Sequence, residues 1–218
     1  MVCGIIDTDS DKKESNTMTV IMGYKTPNKI YIGADNRTST VEDITISDRA
    51  NKIVVVNDNV AVAFSGYSGT QKIFESMIKD SKNRQKYRVE DTLFQLKIIY
   101  WLYKFLKRRK ASKDTFSWGS RFIIAGNNRK GECCMYTMSI LHGKLEKPTL
   151  TERWMFPPYD ADTKACMDIF AVNAINYHSD FIQRTVKEIA LLSKVVSPSG
   201  DVWTYDIATG KSTMEHFS

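Results

Sequence analysis

The sequence predicts an α+β chain, and three observations carry that expectation. Apolar strand-like runs and longer helix-like runs come in blocks, β-rich, two helices, β-rich, two helices, β, with no repeat or low-complexity linker between them. Short turns rich in Pro, Asn, Asp and Gly separate the strand runs. A chain of 218 residues, 42% hydrophobic and 26% charged, suits a single domain with a substantial core.

From the N-terminus, Met18-Thr19-Val20-Ile21-Met22-Gly23-Tyr24-Lys25 passes through a turn at Thr26-Pro27-Asn28 into Lys29-Ile30-Tyr31-Ile32-Gly33-Ala34-Asp35-Asn36-Arg37. This reads as a β-hairpin, with strands near 19–26 and 29–36, that opens on a threonine and closes on an aspartate. Lys52 then opens the apolar run Ile53-Val54-Val55-Val56 within strands near 51–57 and 60–65, folded about Asn57-Asp58-Asn59 and leaving through Ser65-Gly66-Tyr67-Ser68-Gly69. Helices are expected near 69–82 and 89–110, strands near 120–126, 133–141 and 148–155, helices near 161–176 and 180–194, and strands near 201–207 and 211–216. Two antiparallel sheets packed face to face would bury Val54, Val56, Val62 and Phe64 between them.

A threonine at the head of that hairpin suggests a nucleophile. A hydroxyl is a weak nucleophile near neutral pH. When threonine is the first residue of a chain, its own α-amino group, with a pKa of about 8, stands beside Oγ as a general base. The order Thr19, Asp35, Lys52, Gly66 supplies the rest of a site. The Lys52 ammonium would favour the developing alkoxide, Asp35 would fix and compensate that ammonium, and a backbone N–H at Gly66 could donate to the oxyanion of a tetrahedral intermediate. Each residue also has an ordinary alternative: Thr19 as a β-branched strand residue, Asp35 as a turn cap, Lys52 as a solvated charge, Gly66 as a turn glycine, and Arg37 as a buttress of the sheet edge.

Over roughly residues 18–70 this pattern resembles the proteasome β-subunit family of N-terminal nucleophile hydrolases, including its bacterial and phage-like relatives. There a leading threonine is followed by a G/A-x-D-x-R strand end, a lysine before an apolar strand and a glycine after the next strand. The resemblance implies a four-layer αββα sandwich, cleavage of an amide bond, in peptides, through an acyl-enzyme on Thr19, and a homo-oligomer with contacts through its helices. It divides the chain into an extension or propeptide, residues 1–18, and a domain, residues 19–218; the extension must be removed for the Thr19 amine to be free. Thr17 is a rival nucleophile, because Thr17-Met18-Thr19-Val20 also resembles the family's Thr-x-Thr-Val opening. Cys3 is a second rival, because Met1-Val2-Cys3-Gly4-Ile5 resembles the opening of glutamine amidotransferases, although Val2 intervenes.

The C-terminal half departs from the family pattern. Where a Gly-Ser-Gly-like segment is expected stands Trp154-Met155-Phe156-Pro157-Pro158-Tyr159, and the aspartate expected before Val196-Ser197-Pro198-Ser199-Gly200 appears as Lys194 or Val195. The competing expectation is therefore a catalytically degenerate subunit with an assembly or binding role, which would keep its N-terminal extension.

Composition removes other classes. The net charge of +6 is densest from Lys104 to Lys113, after Ile98-Ile99-Tyr100-Trp101-Leu102, and reads as the basic C-terminal end of an amphipathic helix, with no nucleic-acid-binding signature. No run approaches the roughly 18 apolar residues that span a bilayer, and the N-terminus lacks the features of a signal peptide. Cys3, Cys133, Cys134 and Cys166, with His142, His178 and His216, show no metal-ligand spacing, so no metal or other cofactor is expected and a reduced, cytoplasmic chain is. The stripe Phe94, Ile98, Trp101, Leu102 and Phe105 falls mostly at helical spacing; it suits packing of the helix on its own sheet, or the subunit contacts that the resemblance implies.

Overall fold

A computed structural model describes residues 16–17, 19–39, 45–109, 119–141, 143–176 and 179–218. In chain order these residues form β1 (Asn16–Thr17), β2 (Ile21–Lys25), β3 (Lys29–Asp35), β4 (Thr38–Ser39), β5 (Thr45–Ser47), β6 (Ile53–Asn57) and β7 (Val60–Tyr67). Then come α1 (Ser68–Lys79), α2 (Val89–Arg109), β8 (Ser120–Asn127), β9 (Cys133–Leu141), β10 (Lys144–Leu145), β11 (Thr149–Leu150) and β12 (Arg153–Phe156). α3 (Thr163–Asn176), α4 (Phe181–Ala190), β13 (Gly200–Asp206) and β14 (Lys211–Phe217) complete the chain.

The strands build two large antiparallel sheets, and β4 and β5 pair with each other apart from them. One runs β1-β7-β8-β9-β10, with β6 also on β7 and β11 also on β9; the other runs β12-β2-β3-β13-β14. Their facing sides enclose a core of Ile21, Ile30, Ile32, Ile53, Ala61, Ala63, Ile123, Met135 and Trp203. The outer side of the first sheet packs on α1 and α2 through Phe64, Phe74, Leu96, Ile99 and Phe122. The outer side of the second packs on α3 and α4 through Met22, Phe170, Phe181, Val186 and Ile189. The result is the four-layer αββα sandwich that the resemblance implies.

The sheet faces need a correction. Val56, Val62 and Phe64 belong to the core beneath α1 and α2, with Val54 packed against it, while Ile53, Ala61 and Ala63 look toward the other sheet. Both faces of β6 and β7 are covered, so both are apolar, and the pattern that normally fixes which side faces inward is missing. Size makes the division intelligible: alanines on the inter-sheet face let the sheets approach, and the larger side chains fill the space under the helices. The same closeness operates at Gly23, where an added Cβ would come within 2.5 Å of Met135 Sδ.

Residues 148–155 do not form one strand. Thr149–Leu150 pairs with β9 in the first sheet, and Arg153–Phe156 pairs with β2 in the second. The chain changes sheets at Thr151–Glu152, a corner held by Thr151 Oγ1 donating to the Arg153 carbonyl at 2.9 Å. The second helix of the late pair also ends early, at Ala190.

The long helix α2 turns Leu93, Leu96, Ile99 and Tyr100 to the sheet. Phe94, Trp101, Leu102 and Phe105 face outward, with Trp101 59% exposed, and the last three line a groove of about 380 Å³ with Ile98 and Lys104. The basic run beyond Arg109, the side chain of Tyr103, Cys3, His142 and His178 lie outside what is described. Among the described residues, no helix is long and apolar enough to cross a membrane.

Candidate active site

The site lies where β3 ends, against the residues that enter β2 and β6. The hairpin turn is locked by Thr26, whose hydroxyl accepts from the Lys29 N–H at 2.9 Å, so β2 and β3 pair with Ile21 opposite Ala34. This register puts Thr19 beside Asp35. The Asp35 N–H donates to the Val20 carbonyl at 3.3 Å, and the Val20 N–H donates to Asp35 Oδ1 at 3.2 Å.

Three of the four sequence-derived residues meet directly. The Thr19 hydroxyl donates to Asp35 Oδ1, and the Lys52 ammonium donates to Thr19 Oγ1, to the Arg37 carbonyl and to Asp35 Oδ1, the last at 3.0 Å. All three ammonium donors thus have acceptors. Thr19, Asp35 and Lys52 are 1%, 0% and 4% exposed, so the ion pair and the hydroxyl are almost wholly withdrawn from water.

Gly66 stands at the end of β7, opposite Ser120 of β8 and Thr17 of β1. Its φ of +101° lies in the region that favours glycine, and an added Cβ would come within 2.0 Å of the Gly119 carbonyl oxygen. A cleft of about 460 Å³ reaches Lys52 and Gly66 and is also lined by Thr38, Asn51, Phe64 and Gln71. The Thr17 backbone runs along the β7 edge at Gly66, and its side chain is outside the described residues. With Met18 attached, the nitrogen of Thr19 is an amide and not an amine.

Burial dominates the electrostatics. Desolvation pushes the Lys52 ammonium below the usual lysine range, opposed by the adjacent Asp35 charge. Desolvation likewise pushes the Asp35 carboxyl up, opposed by Lys52 and by N–H donors from Ser197 and Arg37. Hydrogen bonds reach both Asp35 oxygens: Oδ2 takes the Arg37 N–H at 2.9 Å and the Ser197 N–H at 3.1 Å.

Several contributors carry no signal in the sequence. The Ser65 hydroxyl donates to the Thr19 carbonyl at 3.2 Å, and Ser197 acts through its backbone. Arg37 does more than support a sheet edge: Nε meets Asp48 Oδ1 at 2.6 Å, and Nη1 donates to the Lys194 carbonyl at 2.8 Å. The segment that departs from the family pattern around Lys194 therefore still reaches Asp35. A Ser-rich loop before a glycine was a visible hint, but its N–H donors have no side-chain identity to read. Among the described residues, no group of three or more His, Cys, Asp or Glu stands together to hold a metal.

An αββα sandwich with a buried threonine, aspartate and lysine at one end of its sheets has the architecture of the N-terminal nucleophile hydrolases. A model of the Proteasome subunit family matches residues 15–148, more than half of the chain, and the chain belongs to that family. No curated protein matches the sequence.

Proposed function

We propose that this protein is an N-terminal threonine amide hydrolase of the proteasome type that cleaves peptides through an acyl-enzyme on Thr19. The observation that carries the reading is the Thr19 hydroxyl held between Asp35 Oδ1 and the Lys52 ammonium in a buried cluster. Residues 1–18 are an extension whose removal turns the Thr19 nitrogen into the α-amine that acts as base, and it also takes β1 away from Gly66. Thr19 Oγ then attacks the substrate carbonyl carbon and its proton passes to that amine. The Lys52 ammonium stabilises the alkoxide, the Gly66 N–H receives the oxyanion, and Asp35 holds Lys52 in place. The amine returns the proton to the leaving nitrogen, an ester remains on Thr19, and water releases the acyl group. Residues 19–218 form the working domain, which acts in the cytoplasm as a homo-oligomer assembled through apolar helix faces such as that of α2.

A second reading, a degenerate subunit that binds or assembles without turnover, is favoured by one observation: Lys194 or Val195 stands where the family pattern has an aspartate. Intact mass of the purified protein separates the two. A species beginning at Thr19, labelled there by an epoxyketone or β-lactone electrophile, supports the hydrolase; a retained extension with no labelling supports the degenerate subunit.

A further inference from the structure

The loop after α4 reaches Asp35 across the second sheet, and one side chain governs its register. Asp160, which follows β12, accepts the Ser193 hydroxyl on Oδ1 at 2.6 Å and the Lys194 N–H on Oδ2 at 2.8 Å. Ser193 Oγ in turn accepts the Val195 N–H at 3.2 Å. Two consecutive amides are thereby oriented through Asp160. Two residues later, the Ser197 N–H donates to Asp35 Oδ2 at 3.1 Å, and Ser199 accepts from the Asn36 N–H at 3.1 Å. Burial of Val195 and Val196, each 1% exposed, sets how deep the loop sits. It does not set the direction of the loop's amides, because apolar contact is non-directional. Hydrogen bonds have that directionality.

We propose that Asp160 is a positioning residue that, through Ser193 and Lys194, aims the Ser197 N–H at the Asp35 carboxyl. For catalysis this rests on the Thr19 reading above; the geometric claim does not. Asp35 also faces the Lys52 ammonium, the Thr19 hydroxyl and the Val20 and Arg37 amides, and the charged Arg37 side chain lies nearby against Asp48. Asp160 lies on a different loop from all of these groups. Removing its carboxyl therefore changes the Ser197 donor and reaches the other groups only at the Arg37 guanidinium, whose Nη1 donates to the Lys194 carbonyl at 2.8 Å. A carboxylate that loses one N–H donor holds its proton more tightly.

The test compares wild type with Asp160→Ala by carbon NMR titration of the Asp35 carboxyl and by amide hydrogen exchange. The variant should titrate at a pH higher by about one unit, and its Ser197 amide should exchange at least about tenfold faster, with β13 amides still protected. Where wild type turns over peptide, kcat should fall about tenfold with KM unchanged, and the acid limb of the pH profile should move upward. An unchanged titration and an unchanged Ser197 exchange would overturn the proposal. If Asp160→Ala does not fold, Ser193→Ala decides: a smaller shift in the same direction upholds the proposal, and no shift refutes it. A shifted titration in Asp160→Ala, with no peptide turnover by the wild-type protein, would leave Asp160 as the positioning residue and remove the Thr19 reading instead.

Discussion

The Lys52 ammonium lies 3.0 Å from Asp35 Oδ1 with the two side chains 5% and 0% exposed, and both partners hydrogen-bond the Thr19 hydroxyl. A pair this buried is costly to break from one side. Lys52→Met should destabilise the protein by about 3–5 kcal/mol near neutral pH, because an uncompensated carboxylate is left in the interior. The sign with pH follows from Asp35, whose carboxyl is already pushed above 3.8 by burial and loses the lowering influence of Lys52. Stability from a raised carboxyl is complete below its unfolded pKa and is lost as pH rises through the folded value. The deficit of Lys52→Met should therefore shrink as pH falls, and urea unfolding of both proteins near pH 5 and pH 7.5 checks it; a deficit independent of pH would remove the buried charge as its cause.

Charge alone does not fill the role of Lys52. Its compact ammonium serves three acceptors at once, Thr19 Oγ1, Asp35 Oδ1 and the Arg37 carbonyl, and a wider planar guanidinium presents its donors differently. Lys52→Arg and Lys52→Ala should each lose on the order of 10²-fold or more in peptide turnover. A wild-type rate in Lys52→Arg would demote the lysine to a structural residue.

Thr19→Ala should abolish both turnover and labelling by a threonine-directed electrophile, with circular dichroism unchanged. Loss of activity in Thr17→Ala with full activity in Thr19→Ala would move the nucleophile by two residues. Activity retained in both variants would end the threonine mechanism.

Gly66→Ala should cost about 1–3 kcal/mol, because the added Cβ meets the Gly119 carbonyl at a φ of +101°. Thermal unfolding measures the loss. A neutral substitution would mean that β7 and β8 separate there at little cost.

The outward face of α2 makes a prediction about assembly. The wild-type protein should sediment at micromolar concentration as a species larger than its 24.9 kDa chain, and Trp101→Glu together with Leu102→Glu should reduce it to monomer. A wild-type monomer that hydrolyses peptide at full rate would rule out the oligomer as a requirement for activity.

Much of this molecule is legible in its amino-acid order. Turn residues and apolar periodicity locate both hairpins of the first half and the helices α1 to α4, since those signals are local. The order Thr19, Asp35, Lys52 is legible too, because each residue sits at the mouth of a strand whose partner its own hairpin fixes. The break between β11 and β12 is not legible, because Thr149 through Phe156 is equally suited to either sheet and only the available edges, β9 and β2, decide.

The sequence by itself therefore determined the α+β succession, the hairpins and the identity of the three polar residues that meet at the end of β3. Tertiary structure alone decided that Ile53, Ala61 and Ala63 look between the sheets while Val56, Val62 and Phe64 look to the helices, because strands covered on both faces carry no alternation. It alone brought the Ser65 hydroxyl to Thr19 and the Ser197 amide to Asp35 across 162 positions of chain. A backbone N–H is the same group in every residue but proline, so only the folded path of the chain selects which of them faces a buried carboxyl.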